Sequence, residues 1–355
     1  MSGIAGIYYR DGKPVDPADI QSMLSAIASR GPDGQGTWTD GPTGLGHCML
    51  RNTPESIHET QPLANNGDNL VITADARLDN RGELIKSLKL DYQEPEYISD
   101  AAIILNAYKK WNEDCAARLL GDFAFAIWDR NRQRLYCAVD HFRIKPVCYF
   151  NSRQAFIFSS QVSGLLPGKL VPGEINRLRT GALFFQEISE IDNTTCFYKD
   201  IFYLQPGSYL VTDNNKTLVR SYWSVDEIGR TARNTDEEYR QEFMEILGDS
   251  VNCRLRSNEN TGIALSGGID SATVAALAEN YAGKTGNKLV TFSGLSANEA
   301  TSQETGYIRK SLSLLGKNPV LFSPVEVEHF STRLVSLIRK FDSPLLSQEI
   351  FLLCL

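Results

Sequence analysis

At 355 residues, 42% of them hydrophobic and 22% charged, the chain is long enough for two or three packed domains and has a globular composition. No run of about 18 apolar residues could span a bilayer as a helix, and the opening Met1–Gly12 turns polar too soon to be a secretory signal peptide. The net charge of −7 without a Lys/Arg cluster speaks against nucleic acid, and seven cysteines with no CxxC pair speak against a disulfide framework or a zinc site. The expectation is a reduced, cytoplasmic chain.

In chain order, Gly3–Tyr8 is a small-residue apolar run, read as a strand. Asp16 before Pro17 is a helix start, and Ile20, Met23, Leu24 and Ile27 follow at helical spacing. Leu70–Thr73 reads as a buried strand, and Ser99 can cap a helix carrying Ile104, Tyr108 and Trp111 on one stripe. Phe123–Trp128, Leu135–Val139 and Phe156–Phe158 are further strands between polar turns, and the whole suggests an α+β sandwich. A polar, aperiodic stretch, 223–234, reads as a linker between a domain over 1–222 and a second over 235–355. Thr235 and Glu238 form a capping box, and from Thr261 onward strands and helices alternate as in a parallel sheet covered by helices. The apolar run Ile350–Leu355 has no polar cap and follows only about three strands of this sheet, where five or six are usual, so the sequence reads as an incomplete chain.

The strongest motif is Leu265-Ser266-Gly267-Gly268-Ile269-Asp270-Ser271, directly after the apolar Gly262–Ala264. Glycines let backbone approach an anion, and the free N–H groups of the next helix point at it. Ser266 and Ser271 add hydroxyls. Asp270 would repel phosphate unless a cation lay between them, which makes it a Mg²⁺ ligand bridging to the phosphates of a nucleotide. A ligand-free glycine turn is the plainer alternative, but strand, flanking serines, acid and helix together favour a nucleotide site. The Walker lysine is absent. Ser293 and Gly294, ending the next strand, belong beside the nucleotide if ligands sit at carboxyl ends of parallel strands, although an ordinary core strand explains them equally well. Asp342-Ser343-Pro344 reads as a helix-ending turn, and equally resembles a substrate-side Asp-Glu-Pro segment of the family to which the next motifs point.

The SGGxDS loop resembles that of the ATP pyrophosphatases, which adenylate a substrate and release pyrophosphate. Ser29–Asp33, Gly46-His47, Gln61-Pro62, Ser99-Asp100, Gly121–Asp129, Ile144–Pro146, Leu204–Tyr209 and Tyr222-Trp223 resemble, in order and spacing, the asparagine synthetase family. That resemblance implies an N-terminal-nucleophile αββα sandwich followed by an α/β ATP-binding domain, with ATP, Mg²⁺ and a carboxylate-bearing substrate as partners. It also implies a glutamine-hydrolysing pocket, and here this chain departs from the pattern. Ser2 stands where the family has its cysteine nucleophile. Met49 stands where an arginine clamps the glutamine carboxylate, and Asp75-Ala76-Arg77 replaces Asn-Gly-Glu. A carboxylate in place of an oxyanion-binding amide opposes catalysis, and only Asp100 matches. An inactive glutaminase domain, kept as a structural partner, is expected. Without an ammonia source the pattern is most similar to the cyclising branches of the family, the β-lactam-forming synthetases and the lasso-peptide macrolactam cyclases; Asp79-Asn80 before Arg81 adds to the likeness to the latter. Asparagine formation and a non-catalytic, truncated pseudoenzyme are the alternatives.

Overall fold

The computed structural model describes the chain except for residues 66, 91–97, 168, 183, 185–191, 193, 230–231, 234, 286–287, 296–301, 316–319, 323–329 and 342–355. Asp342–Pro344 and the apolar run 350–355 lie outside the described residues. Two compact units form, one from Met1–Arg51 with Glu55–Gly229 and one from Asn52–Pro54 with Arg230–Leu355.

The first unit is an αββα sandwich. Its first sheet has the order β10-β8-β9-β1-β3-β2 and its second β12-β11-β7-β6-β5-β4, with antiparallel pairing throughout. The strands are β1 Gly3–Tyr9, β2 Gln35–Asp40, β3 Thr43–Cys48, β4 Leu63–Asn65, β5 Leu70–Leu78, β6 Gly121–Asp129, β7 Arg134–Val139, β8 Cys148–Asn151, β9 Ala155–Ser159, β10 Ile201–Tyr203, β11 Ser208–Thr212 and β12 Thr217–Ser221. The helices are α1 Pro17–Ala26, α2 Arg81–Leu88, α3 Asp100–Trp111 and the short α4 Arg177–Ala182. Asp16 caps α1 through the Ala18 N–H and Ser99 caps α3 through the Ala102 N–H, as the sequence predicts.

Strand periodicity divides the core into layers. On β5, Leu70, Ile72, Ala74 and Leu78 pack with Ile104 and Tyr108 of α3, while Val71 faces inward. On β1, Ala5 and Ile7 join Ile20, Met23 and Leu24 of α1, while Ile4 and Tyr8 face inward. Between the sheets lie Ile4, Tyr8, Leu45, Val71, Trp128 and Phe158. Odd-numbered residues of β5 therefore point toward the other sheet, which puts Asp75 in the interior beside the start of β1.

β3 escapes sequence reading for a physical reason. Every residue of β3 is buried, because α1 covers one face and the second sheet the other. A strand buried on both sides shows no alternation, and Gly44 and Gly46 dilute its apolar signal. They are required: a Cβ on either would meet Ile20 of α1 at 2.9 or 2.8 Å.

In the second unit α5 (Asp236–Arg254) starts at Thr235, whose hydroxyl accepts the Glu238 N–H. Then follow β13 Thr261–Ala264, α6 Ile269–Thr285, β14 Leu289–Gly294, α7 Gln303–Leu315, β15 Val320–Phe322 and α8 Phe330–Phe341. The strands form a parallel sheet, β13-β14-β15. Ala278 and Ala282 of α6 pack on Val251, Leu255 and Leu289, and Leu265 packs on Ala275, Ile308 and Leu312. Among the described residues no helix is long and apolar enough to cross a membrane.

Candidate functional site

In the first unit the degenerate pocket is built from charges that answer one another. Ser2 is 8% exposed, and its Oγ accepts the Leu50 N–H at 3.0 Å. Arg30 donates through Nε to the Ser2 carbonyl at 2.9 Å and through Nη2 to Asp75 Oδ2 at 3.3 Å. The other Asp75 oxygen lies 3.0 Å from Lys145 Nζ. Asp75 is 5% exposed, and the side chains of Arg30 and Lys145 are each 11% exposed. The carboxylate is matched by two cations, so charge alone does not carry the expectation that Asp75 repels an oxyanion.

Asp100 is also engaged. Its carboxylate pairs with Arg81 Nη1 and accepts the Leu78 N–H at 3.1 Å. Arg81 further donates to the Ile98 carbonyl at 2.5 Å and approaches Glu55 at 3.5 Å. Met49 is buried, and Arg51 donates to the carbonyls of Asp33 at 2.6 Å and Glu59 at 3.3 Å. Ala76 and Arg77 continue β5 opposite Phe123 and Asp122.

Lys145 and Asp140 are the residues sequence reasoning missed. Asp140 is 1% exposed, and its carboxylate accepts the N–H groups of Phe123, Phe142, Ile144 and Lys145 at 2.9–3.2 Å. One acid thus shapes the turn from which Lys145 reaches Asp75. An acid four residues before Ile144-Lys145-Pro146 was the available signal.

Behind the pocket His47 is buried between the sheets, with Nδ1 3.2 Å from the Thr73 hydroxyl. Burial pushes its pKa down to about 4; Asp75 opposes the shift and Arg51 adds to it. Burial likewise raises Glu59 to about 7. Cys48, Cys115, Cys137, Cys148 and Cys196 are buried and in no disulfide, whereas Cys253 is half-exposed. Burial raises Cys48 to about 11, so its thiol is unreactive.

In the second unit the SGGIDS segment joins the carboxyl end of β13 to the first turn of α6. Gly267 takes φ +78°, and a Cβ there would stand 2.8 Å from the backbone nitrogen of Ile308 in α7. The loop is therefore formed by glycine on one side and buttressed by a helix on the other. The Ser266 and Ser271 hydroxyls lie 3.1 Å apart, and Ser271 also donates to the Gly268 carbonyl at 3.2 Å. Ser266, Gly268 and Asp270 are exposed.

Ser293 is placed differently from its neighbour in the motif list. It is 1% exposed and donates to the Leu265 carbonyl at 2.8 Å, while the Leu265 N–H bonds the Phe292 carbonyl at 2.8 Å. Its hydroxyl braces the base of the loop, and Gly294 ends β14 beside it. Among the described residues no group of three His, Cys, Asp or Glu converges as a metal site.

A sandwich of this order with a strand–glycine loop–helix unit behind it defines a class, and the comparisons place it. Residues 1–223 match the model of the glutamine amidotransferase domain, and residues 242–355 match that of asparagine synthase. The chain belongs to the asparagine synthetase family. A putative glutamine-hydrolysing asparagine synthetase 2 of Methanocaldococcus jannaschii is 31% identical over 325 residues, covering 87% of this chain and 62% of that protein. Asparagine synthetase 3 of Bacillus subtilis is 28% identical over 291 residues, 81% of this chain and 46% of its own length. An amidase, chry2, of Gibberella zeae is 28% identical over 277 residues, 76% of this chain and 40% of its own length. The chain thus spans roughly half the length of such curated relatives.

Proposed function

We propose that the protein is part or all of an ATP-dependent carbon–nitrogen ligase that activates a substrate carboxylate as its adenylate and joins it to an amine carried by the substrate itself. A carboxylate oxygen would displace pyrophosphate from the α-phosphorus; the amine nitrogen would then attack the acyl carbon, release AMP and give up a proton. The observation that carries this reading is the loop at the end of β13. Backbone N–H groups opening α6, the Gly267 turn and the hydroxyls of exposed Ser266 and half-buried Ser271 suit a polyphosphate. Asp270, exposed in the first turn of α6, suits Mg²⁺ held by one carboxylate with the phosphates completing its shell. Gly294 would lie at the nucleotide's edge, and Ser293 would hold the loop rather than the ligand.

An amine other than glutamine-derived ammonia is supported by the first unit, where Asp75 and Asp100 already hold the cations around them. In this reading the sandwich spans residues 1–222, carries no working nucleophile at Ser2, and is joined through 223–234 to the ATP-binding part. A peptide or amino-acid substrate in the cytoplasm fits the scheme. The second reading, asparagine made from aspartate with glutamine or ammonia, is favoured by the names of the bacterial and archaeal relatives.

Two measurements separate these. Glutamate release from glutamine, compared with Ser2→Ala, should stay at background; release that vanishes in the variant would make the asparagine reading lead. Mg²⁺-dependent ATP binding should fall at least about tenfold in Asp270→Ala, the effect of roughly 1.4 kcal/mol. Unchanged affinity would sink the role given to Asp270.

A further inference from the structure

Asp75 is held the way a bound ligand is held. Its two oxygens are divided between cations from opposite parts of the unit, Arg30 following α1 and Lys145 in the turn after β7, at 3.3 and 3.0 Å. Each cation is fixed by something other than Asp75. Arg30 is anchored by its Nε bond to the Ser2 carbonyl, and the Lys145 backbone is pinned at 2.9 Å by Asp140. The Arg30 guanidinium would therefore keep its place if the carboxylate were removed, and Lys145 would keep its backbone beside it. All three side chains are at least about nine-tenths buried, so a vacated site would leave two desolvated cations and a hole the size of a carboxylate. Such an arrangement binds an anion strongly, because the desolvation of the cations has already been met by the fold.

We propose that Arg30 and Lys145 form a built carboxylate-binding site whose ligand is the chain's own Asp75. Emptied by Asp75→Ala, the site takes a small free monocarboxylate such as formate. In the native chain the site is filled from within, closing the floor of the pocket to external carboxylates. It also ties β5 of one sheet to the start of β1 in the other through Arg30 and Ser2. The proposal rests on the reading that the first unit no longer hydrolyses glutamine. Glutamate release by the wild type would defeat that reading; a missing formate response would defeat this one alone.

All four tryptophans, Trp38, Trp111, Trp128 and Trp223, lie in the first unit, so their fluorescence in the full chain follows that unit's melting. In sodium chloride, Asp75→Ala should lower its melting temperature by roughly 5–15 °C. Sodium formate at matched ionic strength should restore most of the loss along a saturating curve, and should leave the wild type and the Asp75→Ala/Lys145→Met double variant unmoved. If Asp75→Ala does not fold in chloride, soluble yield in formate against chloride becomes the readout, and recovery in formate supports the site. A variant that melts like the wild type, responds to formate no more than to chloride, or fails equally in both salts overturns the proposal.

Discussion

Asp75 in the first unit is 5% exposed with a cation on each oxygen, whereas Asp270 in the second stands exposed in the opening turn of a helix. The contrast extends to their surroundings. Around Asp75 the polar groups of Ser2, Arg30, Lys145 and Asp100 are spent on one another and on backbone. Around Asp270 the loop's backbone bends through a glycine, and its hydroxyls, Ser266 exposed and Ser271 half-buried, meet each other and the loop's own backbone. One region has its counter-ions built in and the other presents donors at a surface. A family motif read from sequence looks alike in both cases; burial and pairing are what separate the two regions.

Asp140 offers the largest test of this contrast. Asp140→Ala leaves four N–H groups, two of them buried, without their acceptor, at about 1–3 kcal/mol for each that water cannot reach. Tryptophan-monitored urea unfolding should show a loss on the order of 4 kcal/mol or outright unfolding of the first unit. A loss below about 1 kcal/mol would mean that the turn holding Lys145 is not organised by this acid.

The opposite pattern is expected at Gly267. Alanine there must adopt φ +78° and press toward the Ile308 nitrogen, so ATP affinity should fall about tenfold or more. The tryptophan transition should stay where it was. A shifted first-unit transition with normal ATP binding would invert the comparison between the two regions.

The smallest effect concerns pH, and it sharpens the account of the first unit alone. His47 has its folded pKa lowered to about 4, below the ordinary 6.5. The unfolded chain therefore binds the extra proton across that interval, so the contribution of His47 is full above 6.5 and is lost as pH falls toward 4. Glu59 is raised to about 7 from 4.5, so its contribution is full below 4.5 and is lost as pH rises through 7. The two oppose each other between 4.5 and 6.5. In that window His47→Gln should make stability decline with rising pH and Glu59→Gln should make it climb, each by on the order of 1 kcal/mol. Parallel profiles for the two variants would remove both groups from the account.

Much of the fold was legible because it rests on local signals. Asp16, Ser99 and Thr235 cap the helices that their sequences announce, and β6, β7 and β9 carry long aromatic and branched runs. β3 was not legible, since burial on both faces erases alternation. The phosphate loop could be read residue by residue because its chemistry is contiguous along the chain. The arrangement at Asp75 could not, because Arg30, Asp75 and Lys145 are separated by 45 residues or more and meet only through the packing of two sheets. Ser293 shows the limit from the other side: its place at a strand end was plain, but the direction of its hydroxyl followed from the Leu265 carbonyl beside it.

The Asp140 turn points two consecutive residues in opposite directions, Ile144 outward at 53% exposure and Lys145 inward at 9%. Any substitution that re-aims the one must re-aim the other. Remodelling of the domain's outer face at that turn is thereby coupled to the placement of a charge in its interior, so the surface there cannot drift independently of the core.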